Sequence, residues 1–229
     1  MKTLGLIGGT SWVSTIDYYK LINEIVNDRL GGVNAATLLL YSVNFAEFMP
    51  PSDEAGWRHF SSLFVAIARK LESAGAEALV LCANTPHKVV PEISAAITIP
   101  LIHIAEVTAR EVASHKHHMV GLLGTRFTME EPFYIETLSK YGINTLTPEK
   151  ADREYIHGTI LGDFAKNNFT PEHKAQYLRI IDDLGKAGAQ AIILGCTEIP
   201  ILVKPQDCRL PLFDTTILHA RAAVDFALG

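Results

Sequence analysis

The chain has 229 residues, enough for one large domain or two lobes with a core each, and its 48% hydrophobic content is that of an ordinary globular protein. A formal charge of −5 with no strongly basic stretch argues against a nucleic-acid surface, and the longest apolar runs are strand-sized, too short to cross a membrane. Met1-Lys2-Thr3 leads straight into a strand-like run, without the apolar core or cleavage site of a signal peptide. The three cysteines are too few and too scattered for a disulfide framework, so the expectation is a cytoplasmic protein with free thiols.

In chain order, LGLIG (4–8) reads as a strand, 14–29 as an amphipathic helix and TLLLYSV (37–43) as a strand. A helix over 55–74, a strand at ALVLC (78–82) and a helix over 104–114 follow. Next come a strand at MVGLLG (119–124), helices over 130–141 and 171–187, and a strand at AIILG (191–195). FDTTILHARAAVDFAL (213–228) is apolar along one helical face and closes the chain. Continuous Val/Ile/Leu runs predict strands buried on both faces, and their alternation with helices predicts α/β units on parallel sheets.

The chain also repeats itself. GAEALVLCANTPHKVV (75–90) lies over GAQAIILGCTEIPILV (188–203) at an offset of 113, with Gly75 on Gly188, Ala76 on Ala189, Ala78 on Ala191 and Leu81 on Leu194. GLIGGT (5–10) resembles GLLGTR (121–126) at an offset of 116. Two similar lobes of roughly 110 residues explain both matches. In this alignment Cys82 falls on Gly195, and Cys196 falls on Ala83. The two cysteines therefore differ by one residue in register, which at a strand end turns a side chain to the opposite side.

Ligands of parallel α/β sheets bind beyond the carboxyl ends of the strands, which here are 8–11, 83–85, 124–126 and 196–198. Gly8 and Gly9 allow backbone N–H groups to approach a ligand, and Thr10, Ser11, Thr85, Thr125 and Thr197 supply hydroxyls. Pro86 and Pro200 suit first helical turns, and helix starts favour carboxylates. A small carboxylate-bearing ligand fits such a site. GLIGG lacks the spacing of a dinucleotide loop, no phosphate loop is present, and no metal-ligand spacing stands out, so neither cofactor nor metal is expected. His115, His117 and His118 in SHKHH read as a solvated loop, and Cys208 as a loop residue without a role. Cys82 reads as a buried apolar residue. Cys196, at a strand end before a helix start, reads as the reactive thiol, its pKa lowered by the positive end of the helix.

GLIGGTSW (5–12), ANT (83–85), LLGTRFTME (122–130), GCTEI (195–199) and LPLFDTT (210–216) together resemble the aspartate/glutamate racemase family along essentially the whole chain. The resemblance implies two Rossmann-like or flavodoxin-like lobes related by a pseudo-twofold, with the active site between them. The lobes would be 1–100 plus 213–229, and 101–212. It implies an isomerase needing neither pyridoxal phosphate nor metal, in which two thiols serve opposite faces of the substrate Cα. The second motif is intact at Cys196 and Thr197, but Ala83 stands where the family usually has the first cysteine. The resemblance also assigns substrate contacts to Gly9, Thr10, Ser11, Asn84, Thr85, Thr125, Thr197 and Glu198. Relatives often have Met at the Thr10 position, and glutamate racemases have His where Glu198 stands. MPPSDE (49–54) lacks the Gln or Arg with which relatives hold a side-chain carboxylate, which weakens Asp or Glu as the substrate. The expected partner is a carboxylate-bearing amino acid, with no nucleic acid or membrane, and a homodimer is an arrangement the resemblance allows. Three readings stay open: a weak or one-handed racemase using Cys196, a one-thiol decarboxylase or isomerase of the same superfamily, and a non-catalytic protein that binds an acidic metabolite.

Overall fold

A computed structural model describes residues 1–229 as two compact units, Met1–His103 with His219–Gly229, and Ile104–Leu218. The first contains β1 (Leu4–Gly8), α1 (Trp12–Leu30), β2 (Leu38–Ser42), α2 (Glu54–Ser73), β3 (Ala78–Leu81) and α3 (Val90–Ser94). The second contains α4 (Ile104–Ser114), β4 (Met119–Gly124), α5 (Arg126–Glu130), α6 (Pro132–Lys140), β5 (Asn144–Leu146) and α7 (Lys150–Leu161). It continues with α8 (Pro171–Lys186), β6 (Ala191–Gly195), α9 (Ile199–Leu202) and β7 (Leu212–Asp214). The last helix, α10 (Thr215–Leu228), begins in the second unit and contributes His219 onward to the first.

Both sheets are parallel, with the same internal order. The first runs β2-β1-β3 and the second β5-β4-β6-β7. The first has a rudiment of a fourth strand, since Leu79 bridges to Leu101 much as Ile192 pairs with Leu212. Register repeats as well. Ile7 pairs with Leu81 and Leu123 with Leu194, so Ala83 and Cys196 each lie two residues beyond an equivalent paired leucine.

In the first unit one side of the sheet packs on α2, through Phe60, Phe64, Ile67 and Leu71. The other packs on α1 and α10, where Tyr18, Ile22 and Val26 meet Ala220, Ala223 and Val224. In the second unit Tyr177, Ile180, Ile181 and Leu184 of α8 cover one face and α4 and α6 the other. Each fully buried side chain of this kind contributes about 1.5–3 kcal/mol by leaving water. Helix starts follow local chemistry. Asp53 accepts from the Gly56 N–H before α2, and Thr170 accepts from His173 N–H before α8, where Pro171 opens the helix.

One expectation changes, and some elements go unread in the sequence. β2 is not buried on both faces: it is the sheet edge, and Leu40 and Tyr41 reach solvent. β5 and β7 are only three residues each, too short to leave a periodic signal. α7, KADREYIHGTIL, is missed because its apolar stripe is thin, with only Ile156, Thr159 and Ile160 buried.

Candidate active site

Each unit carries a polar cluster at the carboxyl ends of its central strands. In the first, β1 and β3 are neighbours, so the loop Gly8–Ser11 lies beside Cys82–Thr85, and the Cys82 N–H donates to the Ile7 carbonyl. Gly9 has φ of +86°, and a Cβ there would sit 2.2 Å from the Val43 carbonyl oxygen, so only glycine fits. Its N–H donates to Thr15 Oγ1 at 2.8 Å, and Thr15 Oγ1 donates to the Ser11 carbonyl at 2.7 Å. The Gly9 amide, expected to face a ligand, is thus taken by the first turn of α1. The hydroxyl oxygens of Thr10 and Ser11 are buried without a hydrogen-bond partner in the protein. Asn84 and Thr85 are buried, with Thr85 and Pro86 opening a 3-10 turn over Thr85–Val89. Cys82 points into the apolar layer of Leu4, Leu6, Tyr18 and α10, and burial pushes its thiol pKa far up.

In the second unit, β4 and β6 bring Thr125 beside Cys196. Gly124 and Gly195 pair directly, and a Cβ on Gly124 would lie 2.7 Å from the Gly195 carbonyl oxygen, so this approach needs glycine. Thr125 caps α5, accepting from the Thr128 N–H at 3.4 Å. Cys196 is 7% exposed, and its Sγ–H donates to Glu198 Oε2 at 2.8 Å. Thr197 Oγ1 donates to the same oxygen at 2.9 Å. Burial raises the Cys196 pKa well above its ordinary value, and the Glu198 charge and hydrogen bond raise it further. The backbone N–H groups of Glu198 and Ile199 pull the other way but are outweighed. The expectation of a helix-activated, low-pKa thiol is therefore corrected. α9 has only four residues, and a carboxylate beside the sulfur holds the proton on it. Tyr177 of α8 joins the cluster, its hydroxyl 2.8 Å from Thr159 Oγ1; burial raises its pKa most, the Thr159 hydrogen bond lowers it, and the neighbouring Cys196, Tyr155 and Glu198 raise it further.

The fold thus collects Gly9, Thr10, Ser11, Ala83, Asn84 and Thr85 in one cluster, and Thr125, Cys196, Thr197 and Glu198 in another. Cys208 stands apart in a loop, its Sγ donating to the Leu210 carbonyl at 3.4 Å. His115 and His117 stack on each other and meet the edge of Phe213, and no group of three His, Cys, Asp or Glu side chains converges as a metal site. No helix is long and apolar enough to cross a membrane. Thr15, His87 and Tyr177 escape the sequence reading. Thr15 sits four residues after Ser11 and His87 four after Ala83, spacings at which a side chain can reach back to the loop. Tyr177 gives no such signal.

A repeated parallel α/β chain with hydroxyls, a thiol and a carboxylate at its strand ends has the two-lobed α/β architecture in which ligands bind beyond the strands' carboxyl ends. More narrowly, the chain belongs to the Asp/Glu/Hydantoin racemase family, whose pattern matches residues 7–223. It is similar to a solved Yersinia pestis protein proposed to be an Asp/Glu racemase, at 45% identity, TM-score 0.91 and 100% coverage of both chains. It is also similar to PH1733, an aspartate racemase homologue from Pyrococcus horikoshii OT3, at 33% identity and TM-score 0.86 over 100% of both chains. The broad-specificity amino-acid racemase RacX of Bacillus subtilis is 24% identical over 162 residues, 71% of this chain and 70% of RacX.

Proposed function

We propose that the protein is a cofactor-independent amino-acid racemase whose single acid–base thiol is Cys196, and that its exchange is weak or one-handed because Ala83 offers a methyl group where a second thiol would serve the other face. The observation that carries this reading is the buried Cys196–Glu198 hydrogen bond at 2.8 Å, at the end of β6. The Sγ–H proton passes along its hydrogen bond to Glu198 Oε2 as Sγ takes the Cα proton, so no free thiolate has to accumulate against the raised pKa, and buried hydroxyls and amides hold the developing charge. The groups offered to a substrate's carboxylate and ammonium are those of Thr10, Ser11, Asn84 and Thr85 in the first cluster and of Thr125 and Thr197 in the second. Without a second thiol, return of a proton from the other face falls to water, which is neither held nor tuned. The substrate need not be acidic in its side chain. The loop 49–54 supplies no Gln or Arg, and the relative RacX is described as broad in specificity.

A second reading has its own support. The resting thiol is protonated, so it is set to deliver a proton to one face of a carbanion. In a decarboxylase the bond to the leaving carboxylate breaks, its electron pair stays on Cα, carbon dioxide departs, and the Sγ–H proton goes to carbon. Incubation of each L- and D-amino acid in deuterium oxide, followed by proton NMR and polarimetry, tests the proposal. Racemisation is expected to give Cα deuteration with loss of optical rotation. Carbon dioxide release from malonate-type acids without deuteration of amino acids would favour the decarboxylase, and neither signal would leave only a binding protein.

A further inference from the structure

Three imidazoles lie beneath the first cluster: His87, His103 and His219. His219 is fully accounted for. Its Nε2–H donates to the Ile102 carbonyl at 2.7 Å, and its Nδ1 accepts from the Tyr18 hydroxyl at 2.8 Å. Because a carbonyl can only accept, this fixes its tautomer. His87 is different. It is 1% exposed, its Nδ1 lies 2.9 Å from the Ala83 carbonyl, and its Nε2 is buried without any hydrogen-bond partner. The same carbonyl argument places its proton on Nδ1, the opposite tautomer to His219. Its ring meets His103 at 4.9 Å and His219 at 5.5 Å between centroids. Burial, and then these two neighbours, keep it neutral. A residue that merely filled this space would be apolar, since an orphaned ring nitrogen is costly.

The reason for an imidazole lies in what its other groups do. The His87 backbone N–H donates to the Asn84 carbonyl at 3.0 Å, while its side chain holds the carbonyl of Ala83. One residue therefore clamps two successive peptide oxygens. A trans peptide points its N–H opposite to its C=O, so holding these oxygens also sets the directions of the Asn84 and Thr85 N–H groups, away from His87. We infer that His87 is a positioning residue that aims the Asn84 and Thr85 amides of the first cluster at a substrate carboxylate. In its kinetic consequence this rests on the racemase reading; in its geometry it does not.

The test uses the full chain and the variants H87N and H87Q. The Asn amide nitrogen falls where Nδ1 lies, and the Gln amide nitrogen falls where Nε2 lies. In wild type, nitrogen-15 imidazole correlations are expected to show neutral His87 with its proton on Nδ1, and a proton on Nε2 would overturn the inference. The Asn84 and Thr85 amide resonances should stay near wild type in H87N and move in H87Q; equal displacement in both would also overturn it. For a substrate found by deuterium exchange, H87Q should raise KM about tenfold or more, with kcat changed less and H87N restoring the value, because small misplacements of binding groups are expensive. Loss of activity that follows thermal stability equally in both variants would reduce His87 to a structural residue. If wild type exchanges no amino acid, the racemase reading fails while both spectral measurements still decide the role of His87. If H87Q does not fold, the wild-type tautomer and the H87N amides decide it.

Discussion

The two strand-end clusters are built on the same scaffold and end in opposite chemistry. Both follow a leucine paired with the central strand, and they differ most at the residue two positions later. In the first that residue is Ala83, a methyl group, and its surroundings are neutral: unpaired hydroxyls on Thr10 and Ser11, and an uncharged imidazole below. In the second it is Cys196, against a carboxylate 2.8 Å away. The comparison separates two tasks that a two-thiol enzyme combines. One half offers buried hydroxyls without partners, and the other a thiol and a carboxylate that share a proton-bearing hydrogen bond.

Removing the thiol should break the contrast most completely. Cys196→Ser is expected to lower Cα exchange by about 10²–10⁴-fold, the usual cost of losing a positioned acid–base group, with Cys82→Ala leaving most of it. Equal losses in the two variants, measured by deuterium-exchange NMR, would mean that the register argument is wrong. The next largest effect separates the halves by pH. Burial lowers the His219 pKa from 6.5 to about 4. A depressed histidine stabilises the fold fully above its unfolded value, and that stability drains away as pH falls through the folded value. The shift corresponds to about 3 kcal/mol of acid-sensitive stability, and urea midpoints of His219→Gln should be flatter with pH than those of wild type. Cys196 has the opposite sign: its pKa is raised, so its contribution is present below the ordinary thiol value of 9.0 and is lost as pH rises through the higher folded one.

Converting the first half toward the second should have a smaller effect. Ala83→Cys is expected to raise exchange by about 10²-fold, most for the enantiomer that wild type handles worse. Unchanged rates from both enantiomers in the folded variant would count against a racemase lacking its second base. The smallest change tunes the second half alone. Glu198→Gln removes the charge that holds the proton on sulfur, so the Cys196 titration midpoint should fall below that of wild type. Thiolate absorbance, followed in a background with Cys82 and Cys208 replaced by alanine, reads this directly. An unchanged or raised midpoint would show that burial alone sets it.

Most of the architecture was legible because the strongest signals, such as LGLIG, MVGLLG and AIILG, come from fully buried central strands. The repeat made the non-equivalence of Cys82 and Cys196 readable before any coordinates, and Cys82 does lie in the apolar layer. The acidity of Cys196 was not legible. Sequence offers a helix start, but whether its few N–H groups outweigh burial and the neighbouring carboxylate depends on where the Glu198 side chain turns. Gly9 misled for a similar reason, because its N–H is claimed by Thr15, six residues on. His87 could be seen as a residue but not as a clamp, since its partner is a main-chain oxygen that carries no sequence signature.

The carboxylate held against Cys196 also governs how the protein meets oxidants. Peroxides attack thiolates, and a buried thiol kept protonated by Glu198 presents very little thiolate. Cys208, only partly covered, is the more accessible sulfur. Mild oxidation should therefore mark Cys208 as sulfenic acid before it reaches Cys196, so chemical ageing can proceed at one sulfur while the Cys196–Glu198 pair stays intact.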